Sequence, residues 1–231
     1  MIYVSSDWHG MELEKVKALL KTVNFSDDDY LFILGDVIDR GKHGVDILKY
    51  IMFEPNIKLI RGNHEQMMLD CSFLLNEVSP DGITADDLRA LQNWNANGGE
   101  TTRAGLKKES PEMRQMIFDF VRETPFYDSV HLNDNDFLLV HAGLATDACG
   151  KFRKLSDSTE EDLIWIRPYL NTEYSHDFMT ILGHTPTLFY GPEYKGKILR
   201  TDTWIDIDVG AAYDEAPVIL RLDDLKEFYL S

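Results

Sequence analysis

Asparagine, aspartate, histidine and arginine recur in six short stretches of this chain, each directly after an apolar run. The stretches are Asp7-Trp8-His9-Gly10, Gly35-Asp36-Val37-Ile38-Asp39-Arg40-Gly41, Arg61-Gly62-Asn63-His64-Glu65, His141-Ala142-Gly143, Gly183-His184-Thr185 and Ile207-Asp208-Val209-Gly210. Carboxylate and imidazole together suit Mn, Fe or Zn better than Ca. Asp7 and His9 are two residues apart, so both can reach one ion if the chain turns after a strand. Asp36 can bridge two ions with its two oxygens, and Asn63 offers a neutral amide oxygen. With His141 and His184 these make six ligand-type residues, enough for two cations with open positions for water and substrate. Arg40 and Arg61 lie beside them, and a planar guanidinium grips phosphate oxygens in pairs. His64 follows Asn63, and Asp39 comes three residues after Asp36. A histidine oriented by a carboxylate is a candidate general acid for a leaving oxygen.

Such residues converge only if strands deliver them to one edge. The preceding runs are Ile2-Tyr3-Val4, Tyr30-Leu31-Phe32-Ile33-Leu34, Ile57-Lys58-Leu59-Ile60, Phe137-Leu138-Leu139-Val140, Met179-Thr180-Ile181-Leu182 and Trp204-Ile205. Short apolar runs bounded by Gly or Asp predict buried strands. In open α/β sheets, sites form at the carboxyl ends of strands. Helical periodicity is present over Met11–Val23, Val45–Phe53 and Gln66–Leu75, so the first third reads β-α-β-α-β with parallel strands. Residues 76–128 read as a helical insertion beside the site. Thr84 with Asp87 predicts a capped helix running to Trp94, and Ser110-Pro111 opens another. From Phe137 strands dominate again. Lys197–Arg200, Trp204–Ile207, Pro217–Leu222 and Phe228–Leu230 are closely spaced, which predicts an antiparallel or mixed second sheet. A single domain over 1–231 is expected.

The chain has 231 residues, 44% of them hydrophobic, and a formal net charge of −17. That charge disfavours nucleic-acid binding and anionic membrane surfaces. It does not forbid a phosphate substrate, because bound divalent cations invert the local potential. No apolar run is long enough to span a membrane, and no signal peptide is read before Ile2. Cys71 and Cys149 make no disulfide framework, so a reduced, cytoplasmic setting is expected.

In combination and order, these motifs resemble those of the phosphoprotein phosphatase family of binuclear metallophosphoesterases, whose calcineurin-like pattern is GDxHG, GDxVDRG, GNHE, HAG, GHT and IDTG. The resemblance spans about residues 2–212. It implies a four-layer α/β/β/α sandwich of two mixed sheets flanked by helices. It implies one metal on Asp7, His9 and Asp36, and another on Asp36, Asn63, His141 and His184, with Mn²⁺ expected and Fe or Zn as alternatives. His64 with Asp39 matches the family's acid pair. Arg40, Arg61 and Arg167, the last in Leu163-Ile164-Trp165-Ile166-Arg167, match its phosphate clamp. Ser6 and Val209 depart from the pattern outside the proposed ligands. Trp94-Asn95-Ala96-Asn97-Gly98-Gly99-Glu100-Thr101-Thr102 is similar to a stretch in small bacterial and phage members. It reads either as a loop near substrate or as a helix end capped by Gly98.

The expected activity is metal-dependent hydrolysis of phosphomonoesters, foremost phosphoserine or phosphothreonine in proteins, by a water between two metals. A phosphoprotein or phosphopeptide is then the partner, since the acidic balance would repel a polyanion more than a single phosphate. A symmetrical diadenosine tetraphosphatase shares the core motifs and is the alternative enzyme. A phosphatase-like binding scaffold would be expected to have lost a ligand, and none is lost.

Overall fold

Each central strand feeds two cores at once, which is why its sequence is apolar without alternation. In the computed structural model, which describes residues 1–75, 82–213 and 215–230, ten strands form two five-stranded sheets. The first sheet contains β1 (Ile2–Ser5), β2 (Tyr30–Ile33), β3 (Ile57–Leu59), β9 (Val218–Arg221) and β10 (Lys226–Tyr229), in the order β10-β9-β1-β2-β3. The second contains β4 (Tyr127–Leu132), β5 (Asn135–Val140), β6 (Met179–Leu182), β7 (Leu199–Arg200) and β8 (Trp204–Asp206), in the order β4-β5-β6-β8-β7. Val4, Phe32, Leu139, Ile181 and Ile205 point between the sheets, beside Leu34, Ile60 and Leu220. Their neighbours Tyr3, Leu31 and Ile33 point to the opposite side, onto the helices α1 (Leu13–Thr22) and α2 (Gly44–Phe53). Leu138, Val140, Leu182 and Trp204 face a third cluster with Leu163 of α7 (Glu160–Trp165) and Tyr174. Successive strand residues point to opposite faces, so a strand inside a four-layer stack is apolar throughout.

The expected sandwich is thus present, with one change in its wiring. The four closely spaced C-terminal runs do not share a sheet. β7 and β8 pair antiparallel in the second sheet, whereas β9 and β10 form a hairpin in the first. The reason is the free side of β1, where β9 pairs antiparallel with Tyr3 opposite Arg221 and Val4 opposite Leu220. That register puts Leu220 beside Val4 in the intersheet core.

The insertion contributes α4 (Ala85–Ala96), α5 (Glu100–Leu106) and α6 (Pro111–Glu123) after α3 (Asn63–Asp70) and a short 3₁₀ turn. Thr84 caps α4 by accepting from the Asp87 N–H, and Ser110 caps α6 by accepting from Met113. Residues 76–81 of the expected insertion lie outside the described residues, and its last two belong to β4.

β1, β2 and β3 are mutually parallel, as are β5, β6 and β8. The two trios bring their carboxyl ends together. Gly35, in the left-handed region at φ 81°, sits where a Cβ would lie 2.5 Å from the Gly62 Cα, so the loops after β2 and β3 touch backbone to backbone. Glu65 locks that contact. Its buried carboxylate accepts from the N–H groups of Asp36 (2.8 Å), Val37 (2.9 Å) and Gly62 (3.0 Å). Glu65→Ala leaves three buried donors unsatisfied and should lower the unfolding free energy of the metal-free protein by roughly 2–4 kcal/mol. Urea unfolding in chelator checks it; a change below about 1 kcal/mol would show that water replaces the carboxylate.

Candidate metal centre

The carboxyl ends of β1, β2 and β3 deliver Asp7, Asp36 and Asn63, and those of β5 and β6 deliver His141 and His184. The two trios are stitched across the sandwich. His141 Nδ1 lies 2.6 Å from the Leu34 carbonyl, and the His184 N–H donates to Asp7 Oδ2 at 3.0 Å. Within the first trio, the Asp7 and His9 amides donate to the carbonyls of Gly35 and Asp36.

The backbone is strained where the chemistry sits. Asp7, His9, Asp36, Asp39, Arg40 and His184 all have φ between 40° and 68°. A non-glycine residue held there costs about 1–3 kcal/mol, and such residues cluster at functional sites. Here each strained turn bends the chain sharply after its strand.

Two ligand groups result, and Asp36 belongs to both. Its Oδ2 lies 3.8 Å from His9 Nε2 and 3.7 Å from His64 Nε2, while its Oδ1 lies 3.4 Å from His141 Nε2. Ligand atoms of His9, Asp36 and His64 fall within 4.8 Å of one another, and so do those of Asp36, His141 and His184. Asp7 Oδ1 is 3.8 Å from His9 Nε2, and Asn63 Oδ1 is 3.0 Å from His141 Nε2. All six sequence-expected ligands therefore meet at one place. His64 stands at the same place through its Nε2, although its Nδ1 is taken by Asp39 Oδ2 at 2.7 Å.

The electrostatics fit cations. Asp36, Asp206 and Asp208 are pushed well above the usual carboxylate range, first by burial and then by nearby carboxylates: Asp7 and Glu65 act on Asp36, Asp208 and Asp7 on Asp206, and Asp7 and Asp36 on Asp208. Buried negative charge without compensation is costly, and divalent ions are what such a cluster is built to hold. His9 and His184 are pushed well below the ordinary histidine value by burial and by neighbouring histidines and arginines, which favours the neutral ring with a lone pair on one nitrogen. Asp7 Oδ1 and His184 Nε2 are buried without a hydrogen-bond partner. Orphaned acceptors inside a protein are rare and point to a missing cationic partner.

The arginines separate. Arg40 reaches the centre, with Nη1 3.0 Å from His9 Nε2 and Nη2 3.3 Å from His64 Nε2. Arg167 reaches the other side, with Nη1 donating to the His184 carbonyl (3.1 Å) and Thr185 Oγ1 (3.2 Å). Arg61, expected in the phosphate clamp, turns away. Its Nη2 donates to the carbonyls of Arg122 (2.6 Å) and Thr124 (2.9 Å), its Nε to Thr124 Oγ1 and its Nη1 to Gln66. The guanidinium also lies 4.5 Å from the Phe126 ring centre. Four of its five N–H groups are thus bonded to the α6–β4 connection and to Gln66 of α3, which places Arg61 as a structural tie in this structure and not in the expected clamp.

Sequence reasoning gave Glu65 no role at the centre and named no partner there for Trp94 or Thr102. Glu65 could have been found, since Glu at the third position of a helix commonly accepts from the N-cap amide. Trp94 Nε1 donates to Asp39 Oδ2 at 2.8 Å, and Thr102 Oγ1 donates to Asp39 Oδ1 at 2.5 Å. Of the two readings of the stretch from Trp94 to Thr102, the structure matches the helix end capped by Gly98, with α5 beginning at Glu100. Gly98, at φ 94°, follows the end of α4, and the residues around it touch the site.

Two outcomes test this geometry. Asp36→Asn should lower the occupancy of both sites together, whereas His184→Asn should spare the site on His9; elemental analysis after Mn²⁺ reconstitution decides. Arg40→Ala should raise KM for a phosphate substrate with little change in Tm. Arg61→Ala should do the reverse, with stability lowered by roughly 1–3 kcal/mol, and a matched rise in KM for both would restore Arg61 to the clamp.

Comparison with known proteins agrees with this architecture. The calcineurin-like phosphoesterase family model matches residues 1–212. A relative from Bacillus velezensis, named bis(5'-nucleosyl)-tetraphosphatase PrpE [asymmetrical], is 24% identical over 225 residues, covering 87% of this chain and 82% of that protein. One from Actinobacillus pleuropneumoniae, named bis(5'-nucleosyl)-tetraphosphatase, symmetrical, is 33% identical over 103 residues, covering 41% of this chain and 37% of its own length. A protein serine/threonine phosphatase structure from Saccharomyces cerevisiae shares the fold at a TM-score of 0.55 and 16% identity, covering 99% of this chain and 78% of that one. With a family match that takes in every strand-end motif described above, the chain belongs to the calcineurin-like phosphoesterase family.

Proposed function

We propose that this chain is a metal-dependent phosphohydrolase acting on dinucleoside tetraphosphates. The observation that carries the hydrolase reading is the pair of ligand groups sharing Asp36, one carboxylate oxygen toward each. Asp7, His9 and Asp36 would hold one divalent ion, and Asp36, Asn63, His141 and His184 the other. When bound, such ions neutralise phosphoryl charge and ionise water near neutral pH. Arg40 and Arg167 flank them from two sides and would hold non-bridging oxygens of the reacting phosphoryl group. His64 would release a proton from Nε2 to the leaving oxygen. Burial opposes charging His64, yet the Asp36 and Asp39 carboxylates outweigh it and raise its pKa above the ordinary value. Arg40 Nη2 lies 3.3 Å from Nε2 and can only donate, so the guanidinium must turn toward the substrate before Nε2 can carry that proton.

The substrate class rests on the curated relatives, both named as bis(5'-nucleosyl)-tetraphosphatases. They favour the dinucleotide over the phosphoprotein expected from net charge. Net charge is a property of the whole surface, whereas the reacting phosphates would meet the ions and two arginines.

A second reading, a phosphoserine or phosphothreonine phosphatase, is favoured by two features. A polyphosphate leaving group needs little protonation, whereas an alkoxide needs a full proton, and His64 with Asp39 is a built acid pair. The cleft of about 420 Å³ opening on Asn63 is lined by Asp70, Glu160 and Glu161, which suits a basic flank. One comparison separates the readings. With Mn²⁺ present, kcat/KM for diadenosine tetraphosphate should exceed that for the best phosphopeptide by at least about tenfold, or 1.4 kcal/mol. A peptide value above the dinucleotide value would overturn the proposal and leave the metal centre intact.

A further inference from the structure

The corner where α4 passes into α5 belongs to the helical insertion, outside the ligand-bearing stretches, yet Trp94 near the end of α4 and Thr102 in α5 both bond the Asp39 carboxylate. We propose that Trp94 and Thr102 are positioning residues, holding the Asp39 carboxylate in the one orientation that seats His64 for proton delivery. The inference rests on His64 acting as the proton donor.

Three donors converge on Asp39 from three directions. His64 Nδ1 and Trp94 Nε1 meet Oδ2 at 2.7 and 2.8 Å, and Thr102 Oγ1 meets Oδ1 at 2.5 Å. A carboxylate bonded only to His64 could turn about its last side-chain bond. Donors on both oxygens remove that freedom, and bonds to a charged acceptor are stronger than neutral ones. Asp39, Trp94 and Thr102 are all buried, so water cannot substitute readily.

The backbone is held by the same α4–α5 corner. Asp39 and Arg40 are consecutive left-handed residues, at φ 67° and 63°. Their amides point out of the turn and need acceptors. The Asp39 N–H donates to Thr102 Oγ1 at 2.9 Å, and the Arg40 N–H donates to the Gly98 carbonyl at 3.1 Å. Thr102 therefore accepts from the Asp39 main chain and donates to its side chain with one hydroxyl. Trp94 is fixed in turn by Gly99, where a Cβ would lie 2.4 Å from the indole Cδ1 and Nε1. Only a glycine lets the loop close over the ring.

The test uses Thr102→Val, which keeps the shape and loses the hydroxyl, with Thr102→Ser as its rescue and Trp94→Phe as a second probe. In the metal-free protein, ¹⁵N NMR should show the Trp94 indole N–H and the His64 Nδ1–H as protected resonances. Thr102→Val should shift both and open the His64 proton to exchange, and Thr102→Ser should restore them. In the Mn²⁺-loaded protein, Thr102→Val should lower kcat on phenyl phosphate by about tenfold, a fraction of the 10²–10⁴ attributed to a whole acid. The effect on p-nitrophenyl phosphate, whose leaving group needs no proton, should stay below about threefold, with KM unchanged on both. Asp39→Asn combined with Thr102→Val should be no slower than Asp39→Asn alone, since the hydroxyl acts through that carboxylate. Equal losses on both esters, additive double variants or unmoved resonances would overturn the positioning role. If His64→Asn itself showed no leaving-group dependence, the acid reading would fall and the proposal with it. A normal His64→Asn response beside a silent Thr102→Val would overturn the cradle alone.

Discussion

Buried negative charge at one edge of the sandwich is the constraint that organises this molecule. Asp7, Asp36, Asp206 and Asp208 are all buried there, and burial with nearby carboxylates raises the proton affinity of Asp36, Asp206 and Asp208. Asp7 and Asp36 and four residues beside them, His9, Asp39, Arg40 and His184, hold left-handed backbone angles. Strain of this kind persists only where the surroundings over-determine it. They do so through interlocked loops: the Asp7, His9 and Gly10 amides donate to the carbonyls of Gly35, Asp36 and Val37. Glu65 closes the ring by binding the amides of Asp36, Val37 and Gly62. The carboxylates are therefore held together before any ion arrives, and ion binding relieves a repulsion that folding creates.

The rest of the architecture serves that edge. Two parallel trios of strands, one per sheet, aim their carboxyl ends at it, and the core between the sheets sets how far apart the trios stand. Val4, Phe32, Leu139 and Ile181 fill that core just before the residues that could ligate. A change in their volume would be transmitted to the distances between Asp36 and His141, because packed interiors deform little.

Much of the centre was legible in the sequence. An apolar run ending in Gly-Asp or Gly-Asn-His has few interpretations, and several in order leave fewer. Side-chain direction was not legible. Arg40 and Arg61 each adjoin a ligand motif, yet one turns into the centre and the other onto the Arg122 and Thr124 carbonyls. Adjacency along the chain says nothing about which way a side chain leaves a turn. Sheet membership of β9 and β10 was hidden for a related reason. Spacing predicts a hairpin, but the free side of β1 decides where it docks. Trp94 and Thr102 were hidden by distance, lying 55 and 63 residues beyond the Asp39 they bind.

The same electrostatics sorts the histidines into different tasks. His9 and His184 are buried among other histidines and arginines, so their charged forms are disfavoured and their lone pairs stay available. His64 is as deeply buried and only 4.9 Å from His9, ring centre to ring centre, yet its proton affinity moves the other way. The difference is Asp39, which meets its Nδ1 directly, together with Asp36. In the proposed reaction one imidazole type would provide both ligands and a proton carrier within a few ångströms, with environment deciding which is which. That division requires Asp39 to stay turned toward His64 and away from the cations. Its two oxygens are already committed to His64, Trp94 and Thr102, which keeps this carboxylate out of the ligand set. The insertion that carries Trp94 and Thr102 would therefore help separate the proposed proton delivery from metal binding, although it contributes none of the six expected ligands.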